Sequence, residues 1–259
     1  MVRLFHVSDI HFGAEDCEAI DWFAARVRDE QPDAVVMTGD LTMRARSREF
    51  AAAAEWLGSL GVPVTVEVGN HDLTYFNPFE RAFQPYRRYR KVEKMVEQPL
   101  DIQGVAIVPL RTTARFQLRL NWSKGYVASK QLKKTLRQIA GIDKATAILV
   151  ACHHPLIDQG TQSRAETRGG ASALTALARA GADAVLTGHV HDPFDVEHRV
   201  DDAPIRLIGA GTLSERTRES PPAFNELRIG SDGIETIVRT LSDVPPQPLS
   251  VAEGVDVSG

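Results

Sequence analysis

The chain has 259 residues, 43% hydrophobic and 25% charged, the make-up of an ordinary globular protein able to bury a sizeable core. Its formal net charge of −4 gives no whole-surface attraction to nucleic acid or anionic lipid. Two cysteines, Cys17 and Cys152, provide neither a disulfide framework nor a thiolate zinc site. The start, "MVRLFHVSDIHFG", lacks a signal-peptide layout and no apolar run approaches the ~18 residues of a membrane span, so a cytoplasmic protein without membrane contact is expected.

In chain order, residues 2–8, 34–39 and 62–69 read as short buried strands, separated by helices over about 18–30 and 47–60. The second helix, "SREFAAAAEWLGSL", has Ser47 as its expected N-cap and Gly61 as its stop. Alternation at this pace implies βαβ units and a parallel sheet. Residues 76–97, with two prolines and a basic cluster, predict an irregular helical excursion over the sheet's edge. A hairpin turning near Gly104 is expected over 100–112. A helix at about 129–140, a strand at 146–152, a helix at about 170–180 and a strand at 183–187 follow. Strand pairs near 194–210 and 223–241 close a single domain, 1–243. The proline-rich remainder, 244–259, reads as a flexible tail. Two mixed sheets packed face to face with helices outside would accommodate both halves.

Six of the eight histidines fall in four short motifs, each directly after a predicted strand. "VSDIHFG" carries Asp9 and His11, "VGNHD" carries Asn70, His71 and Asp72, "VACHHP" carries His153 and His154, and "LTGHVH" carries His189 and His191. "MTGDL" adds Asp40 at another strand end. Ligands of open α/β sheets bind beyond the carboxyl ends of the strands, so parallel strands would gather all five clusters at one edge. In extended backbone the i, i+2 pairs Asp9/His11 and His189/His191 would each converge on one point. Imidazole nitrogens with carboxylate or amide oxygens suit divalent manganese, iron, zinc or cobalt. Asp9, His11, Asp40, Asn70, His153, His189 and His191 are too many for one tetrahedral ion and suggest two, with Asp40 as the candidate bridge.

The ordered set Asp9-x-His11, Gly39-Asp40, Gly69-Asn70-His71-Asp72, His153 and Gly188-His189-x-His191 resembles the signature of the calcineurin-like metallophosphoesterases. A looser likeness, carried by "GDLT", "HHP" and "KGYVASKQL", is to the bacterial cyclic-nucleotide phosphodiesterase branch. The resemblance implies an α/β fold, a four-layer αββα sandwich of two packed mixed sheets, and two divalent metal ions. It implies that Asp9, His11 and His191 hold one ion and Asn70, His153 and His189 the other, bridged by Asp40. His71 would then face the substrate as the catalytic imidazole, with Asp72 orienting its ring. Two such ions make hydroxide available near neutral pH, so hydrolysis of a small phosphodiester, a cyclic nucleotide or similar, is expected.

Weaker features surround this set. Arg44 lies four residues after Asp40, where its guanidinium could reach a substrate phosphate, and His154 could fix His153 or line the pocket. His6 reads as a satisfied core histidine and His198 as a solvated one. Arg87, Arg88, Arg90, Lys91 and Lys94 could form a cationic rim. The same site chemistry serves a phosphomonoesterase or a nucleotide pyrophosphatase. A nuclease would bring more basic surface, and a non-catalytic scaffold of this fold would have lost ligands that are all present here. The expected partner is a small phosphorylated substrate, with no stable nucleic-acid partner.

Overall fold

A computed structural model describes residues 1–74, 78–97, 100–114, 123–162, 167–242, 247–248 and 252–253. The elements in chain order are β1 (Val2–Val7), α1 (Cys17–Glu30), β2 (Ala34–Met37), α2 (Ser47–Ser59), β3 (Val64–Val66), α3 (Pro78–Phe83) and α4 (Tyr89–Val96). They continue with β4 (Val105–Pro109), α5 (Ser129–Ile139), β5 (Ala147–Ala151), α6 (Gly170–Arg179), β6 (Ala184–Thr187), β7 (Phe194–Val200), β8 (Ala203–Gly209), β9 (Ala223–Gly230) and β10 (Gly233–Thr240). Two dipeptides, β11 (Gln247–Pro248) and β12 (Ala252–Glu253), come last.

These strands form two mixed sheets, ordered β11-β10-β9-β1-β2-β3 and β12-β7-β8-β6-β5-β4. In the first, β1, β2 and β3 run parallel while β9 and β10 are antiparallel. In the second, β4, β5, β6 and β8 run parallel and β7 is antiparallel. Leu4, Val36, Leu149, Leu186, Ile208 and Leu227 fill the layer between the sheets, and each such burial contributes about 1.5–3 kcal/mol. The outer face of the first sheet is covered by α1, α2 and α4, and that of the second by α5 and α6. Spacing of the apolar residues explains the helix docking: Ile20, Phe23 and Val27 of α1, and Phe50, Ala53, Ala54 and Leu57 of α2, each make one buried stripe. The result is the four-layer αββα sandwich.

Several expectations change. Residues 100–112 hold one strand, β4, parallel to β5, in place of a hairpin: Gly104, at φ +82°, turns the chain into β4, while Leu100 and Ile102 pack between the sheets. The N-cap of α2 is Arg46 and not Ser47, because Glu49 reaches back to accept the backbone N–H groups of Arg46 (3.2 Å) and Arg44 (2.8 Å). Within the expected tail, β11 pairs with β10 and β12 with β7; its other residues lie outside those described. The basic excursion becomes α3 and α4, although 75–77 lie outside the described residues; Arg87 and Arg88 pair with Glu80 at 3.1 and 2.9 Å, while Arg90, Lys91 and Lys94 are exposed.

Candidate metal centre

Parallel β1, β2 and β3 of one sheet and β5 and β6 of the other bring all five motifs to one edge. Asp9, His11, Asp40, Asn70, His153 and His191 are buried, and His189 is half-buried. The convergence uses a different backbone from the extended one expected. Asp9, His11, Asp40, His189 and His191 all sit in the left-handed region, with φ of 48–70°, and make up five of the eight such non-glycine residues among those described. Each costs on the order of 1–3 kcal/mol, although Asp and His tolerate this region better than most residues. Cross-loop hydrogen bonds hold the strained turns, from Asp9 N–H to Gly39 C=O (3.0 Å), His11 N–H to Asp40 C=O (3.0 Å) and His189 N–H to the Asp9 carboxylate (2.8 Å). Two glycines permit the approach. A Cβ on Gly69 would lie 2.0 Å from Asp40 Oδ1, and one on Gly188 would lie 1.8 Å from Ser8 Oγ.

The rings are aimed from behind. His153 Nδ1–H donates to the Thr38 carbonyl (2.8 Å) and His191 Nδ1–H to the Arg216 carbonyl (2.6 Å). A carbonyl only accepts, so in the neutral rings both Nε2 lone pairs face forward. There they meet acceptors. His153 Nε2 lies 3.1 Å from Asn70 Oδ1 and 3.3 Å from Asp40 Oδ2, and His191 Nε2 lies 3.1 Å from Asp9 Oδ1 and 3.3 Å from His11 Nε2. Lone pair against lone pair is repulsive unless a cation or a proton stands between them. Asp9 Oδ1 is buried with no hydrogen-bond donor among the described residues, as a metal-directed oxygen would be. These donors fit divalent cations. Asp40 Oδ2 is approached from both sides, at 3.3 Å by His153 and 3.9 Å by His11, while its Oδ1 accepts the His71 N–H at 2.8 Å.

The electrostatics agree with the geometry. Burial opposes ionisation of Asp9 and Asp40, but the facing histidines outweigh it and hold both carboxyls well below the usual range. For His153, burial disfavours the charged ring, yet Asp40 raises it to about 9. A divalent cation would satisfy the same carboxylate and displace that proton, so metal uptake should release protons. His189 goes the other way, to about 3, through burial and the neighbouring His153.

Two expected roles change. Asp72 does not orient His71: its carboxylate accepts from the backbone of Leu41 (3.2 Å), Thr42 (2.9 Å) and Gly69 (2.9 Å) and from the Thr42 hydroxyl (3.0 Å), tying the two loops together. The His71 ring is set by the Met43 carbonyl, which accepts from Nδ1 at 2.8 Å. His154 is buried with both ring nitrogens engaged, by the Thr112 hydroxyl (2.9 Å) and the Ser123 carbonyl (2.8 Å), leaving none for substrate. Arg44 is exposed, and it is held through its backbone N–H, which donates to the Glu49 carboxylate. His6, by contrast, is a satisfied core residue, bonded to Thr38 Oγ1 at 3.0 Å and lowered to about 3, first by burial.

The guanidinium at the site is that of Arg216, which the motifs of the sequence do not single out. Its Nη1 lies 3.2 Å from His71 Nε2 and 3.5 Å from His11 Nε2. The available signal was topological. Because β8 runs parallel to β6, the loop after it, "GTLSER", must reach the same edge, and Thr212 there donates to the Asp9 carbonyl at 2.6 Å.

The fold and this edge define a metallophosphoesterase. Residues 2–193 match the sequence profile described as calcineurin-like phosphoesterase, and the chain belongs to that family. It is 26% identical to the 3′,5′-cyclic adenosine monophosphate phosphodiesterase CpdA of Escherichia coli, across 98% of this chain and 94% of that protein. It is 24% identical to a component of the nuclease SbcCD of Staphylococcus epidermidis, across 76% of this chain and 59% of the relative. Among solved structures, a dimetal phosphatase from Danio rerio superposes with a TM-score of 0.69 at 12% identity, covering 97% of this chain and 99% of that one. No helix among the described residues is long and apolar enough to cross a membrane.

Proposed function

We propose that this chain is a binuclear metal-dependent phosphohydrolase that cleaves a small phosphodiester, a cyclic nucleotide or similar, in the cytoplasm. One observation carries the binuclear reading: Asp40 Oδ2 is faced by rings from two separate clusters whose lone pairs otherwise oppose oxygen atoms. Asp9, His11 and His191 would hold one ion, Asn70, His153 and His189 the other, and Asp40 both. When bound, such ions supply an activated water near neutral pH and charge at the phosphoryl centre. The diester preference is supported by the likeness to a cyclic-nucleotide phosphodiesterase across nearly the whole chain.

The chain's own groups do the rest. Asp72 holds the loops of Asp40 and His71 in register through backbone bonds. With Nδ1 committed to Met43, His71 addresses substrate through Nε2. A proton given to the leaving oxygen must therefore sit on that atom, a contribution typically worth ~10²–10⁴ in rate. The test is a panel of cyclic nucleotides, glycerophosphodiesters, monoesters and nucleotide pyrophosphates on manganese-reconstituted protein. The proposal expects the highest kcat/KM on a diester. A monoester or pyrophosphate preferred tenfold or more would overturn the diester assignment, and no cleavage of any member would overturn the hydrolase itself.

A further inference from the structure

We propose that Arg216 binds the phosphoryl group of the substrate, and that His71 holds its guanidinium in place until that group arrives. The inference rests on the reading above, in that it takes the ligand to be a phosphoric ester, and it adds a substrate-binding residue to the metal ligands and His71.

Several other half-buried arginines of this protein face carboxylates, while Arg111 lies over the Tyr86 ring. Arg206 pairs with Asp195, Arg239 with Glu226 (2.6 Å) and Glu30 (2.9 Å), and Arg88 with Glu80 (2.9 Å). Arg216 is half-buried too, but none of the ion pairs among the described residues includes it. Its Nη1 instead lies 3.2 Å from His71 Nε2, 3.5 Å from His11 Nε2 and 3.8 Å from Met43 Sδ, two ring nitrogens and a thioether. A guanidinium carries five N–H donors in a planar fork and is far better matched by charged oxygen than by these weak acceptors. The missing partner is an anion with oxygens set for a fork, which a phosphoryl group supplies.

The placement is built and not incidental. Arg216 is anchored through its backbone: its N–H donates to Ser214 Oγ (3.3 Å) and its carbonyl accepts from His191 Nδ1 (2.6 Å). Thr212, in the same loop, bonds the Asp9 carbonyl and Ser214 Oγ at 2.6 and 2.7 Å. The loop that aims one candidate ligand therefore also aims the guanidinium, and it places the charge between His11 and His71. Because Met43 takes the Nδ1 proton of His71, Nε2 is the atom that accepts from Arg216 when the ring is neutral. A phosphoryl oxygen that draws Nη1 away frees the Nε2 lone pair, which must then take up a proton from solvent before the ring can give one to the leaving oxygen.

The test uses full-length, manganese-reconstituted protein and three variants, Arg216→Gln, Arg216→Lys and Arg44→Gln. Inorganic phosphate affinity is measured by calorimetry, metal content by elemental analysis, and kcat and KM with a nitrophenyl diester. For Arg216→Gln, phosphate binding should weaken roughly 10- to 100-fold, the range for losing a hydrogen bond to a charged group, with metal content unchanged. Arg216→Lys should recover part of that loss, and Arg44→Gln should match wild type in every readout. Equal phosphate affinity in wild type and Arg216→Gln, with wild type active, would overturn this inference alone. Loss of metal in Arg216→Gln that lysine does not restore would also overturn it, leaving the residue a support for His191. A metal-loaded wild type that neither binds phosphate nor cleaves any ester would overturn the hydrolase reading and this inference together.

Discussion

The two sheets contribute unlike chemistry to the shared edge. Among the candidate ligands, the first supplies every oxygen donor, Asp9, Asp40 and Asn70, with a single ring, His11; the second supplies imidazoles only, His153, His189 and His191. Neither sheet alone presents a balanced set. Buried carboxylates on one face become tolerable because rings from the other face them, and both lie over an apolar layer that fixes the spacing between sheets. The site is thus a property of the packed sandwich and not of any one loop.

Asp40 is where the contributions meet, so removing it should have the largest effect. Asp40→Ala is expected to lose most of its bound metal and most of its activity, more than His11→Ala, because it takes a donor from both clusters at once. Metal analysis of the two variants side by side checks this; equal loading in Asp40→Ala and wild type would show that the sheets do not share that oxygen. A middle-sized effect should follow from loosening the layer between the sheets far from any ligand. Leu149, fully buried on β5, when replaced by alanine should cost about 2–5 kcal/mol in denaturant unfolding and also weaken metal affinity. Unchanged affinity despite that loss would mean each sheet preorganises its own ligands.

The remaining comparison concerns a carboxyl of the first sheet that faces no imidazole. Glu67, just past β3, is also buried but faces no imidazole among the described residues, and burial raises it from 4.5 to about 8 with only partial relief from Arg111. The folded protein keeps this proton to about pH 8 and the unfolded chain loses it near 4.5, so the native state binds more protons between those values. Its contribution to stability is complete below pH 4.5 and declines as pH rises toward 8. Each tenfold difference in proton affinity between the two states corresponds to about 1.4 kcal/mol, so Glu67→Gln should flatten the fall of Tm across this window and melt higher than wild type at pH 8. A Tm profile parallel to wild type would place the Glu67 carboxyl in contact with water or a cation.

The sequence was most informative where chemistry and position coincide. Asp9, His11, Asp40, Asn70, His153, His189 and His191 could be found because each follows an apolar strand and belongs to a residue type that seldom clusters by chance. Their backbone was not legible: alternation suggests extended chain, whereas the turns are left-handed and held by bonds from loops up to 180 residues away, such as His189 to Asp9. The role of Asp72 is hidden for a related reason. Adjacency to His71 suggested a ring contact, but its carboxylate serves Leu41 and Thr42, which only the paired β2 and β3 bring near. Arg44 is near Asp40 in sequence, whereas the link of Arg216 to the site is the parallel pairing of β8 with β6, which no local motif signals. The strand near 105–109 reads as half of a hairpin because a glycine between apolar runs signals a turn equally well in either topology.

If two clusters sharing Asp40 hold two ions and both are needed, titration of manganese into metal-free protein tests it most directly, with bound metal and activity followed together. Binding should approach two ions per chain, and activity should rise with the second. Full activity at a plateau of one ion per chain would contradict the binuclear centre.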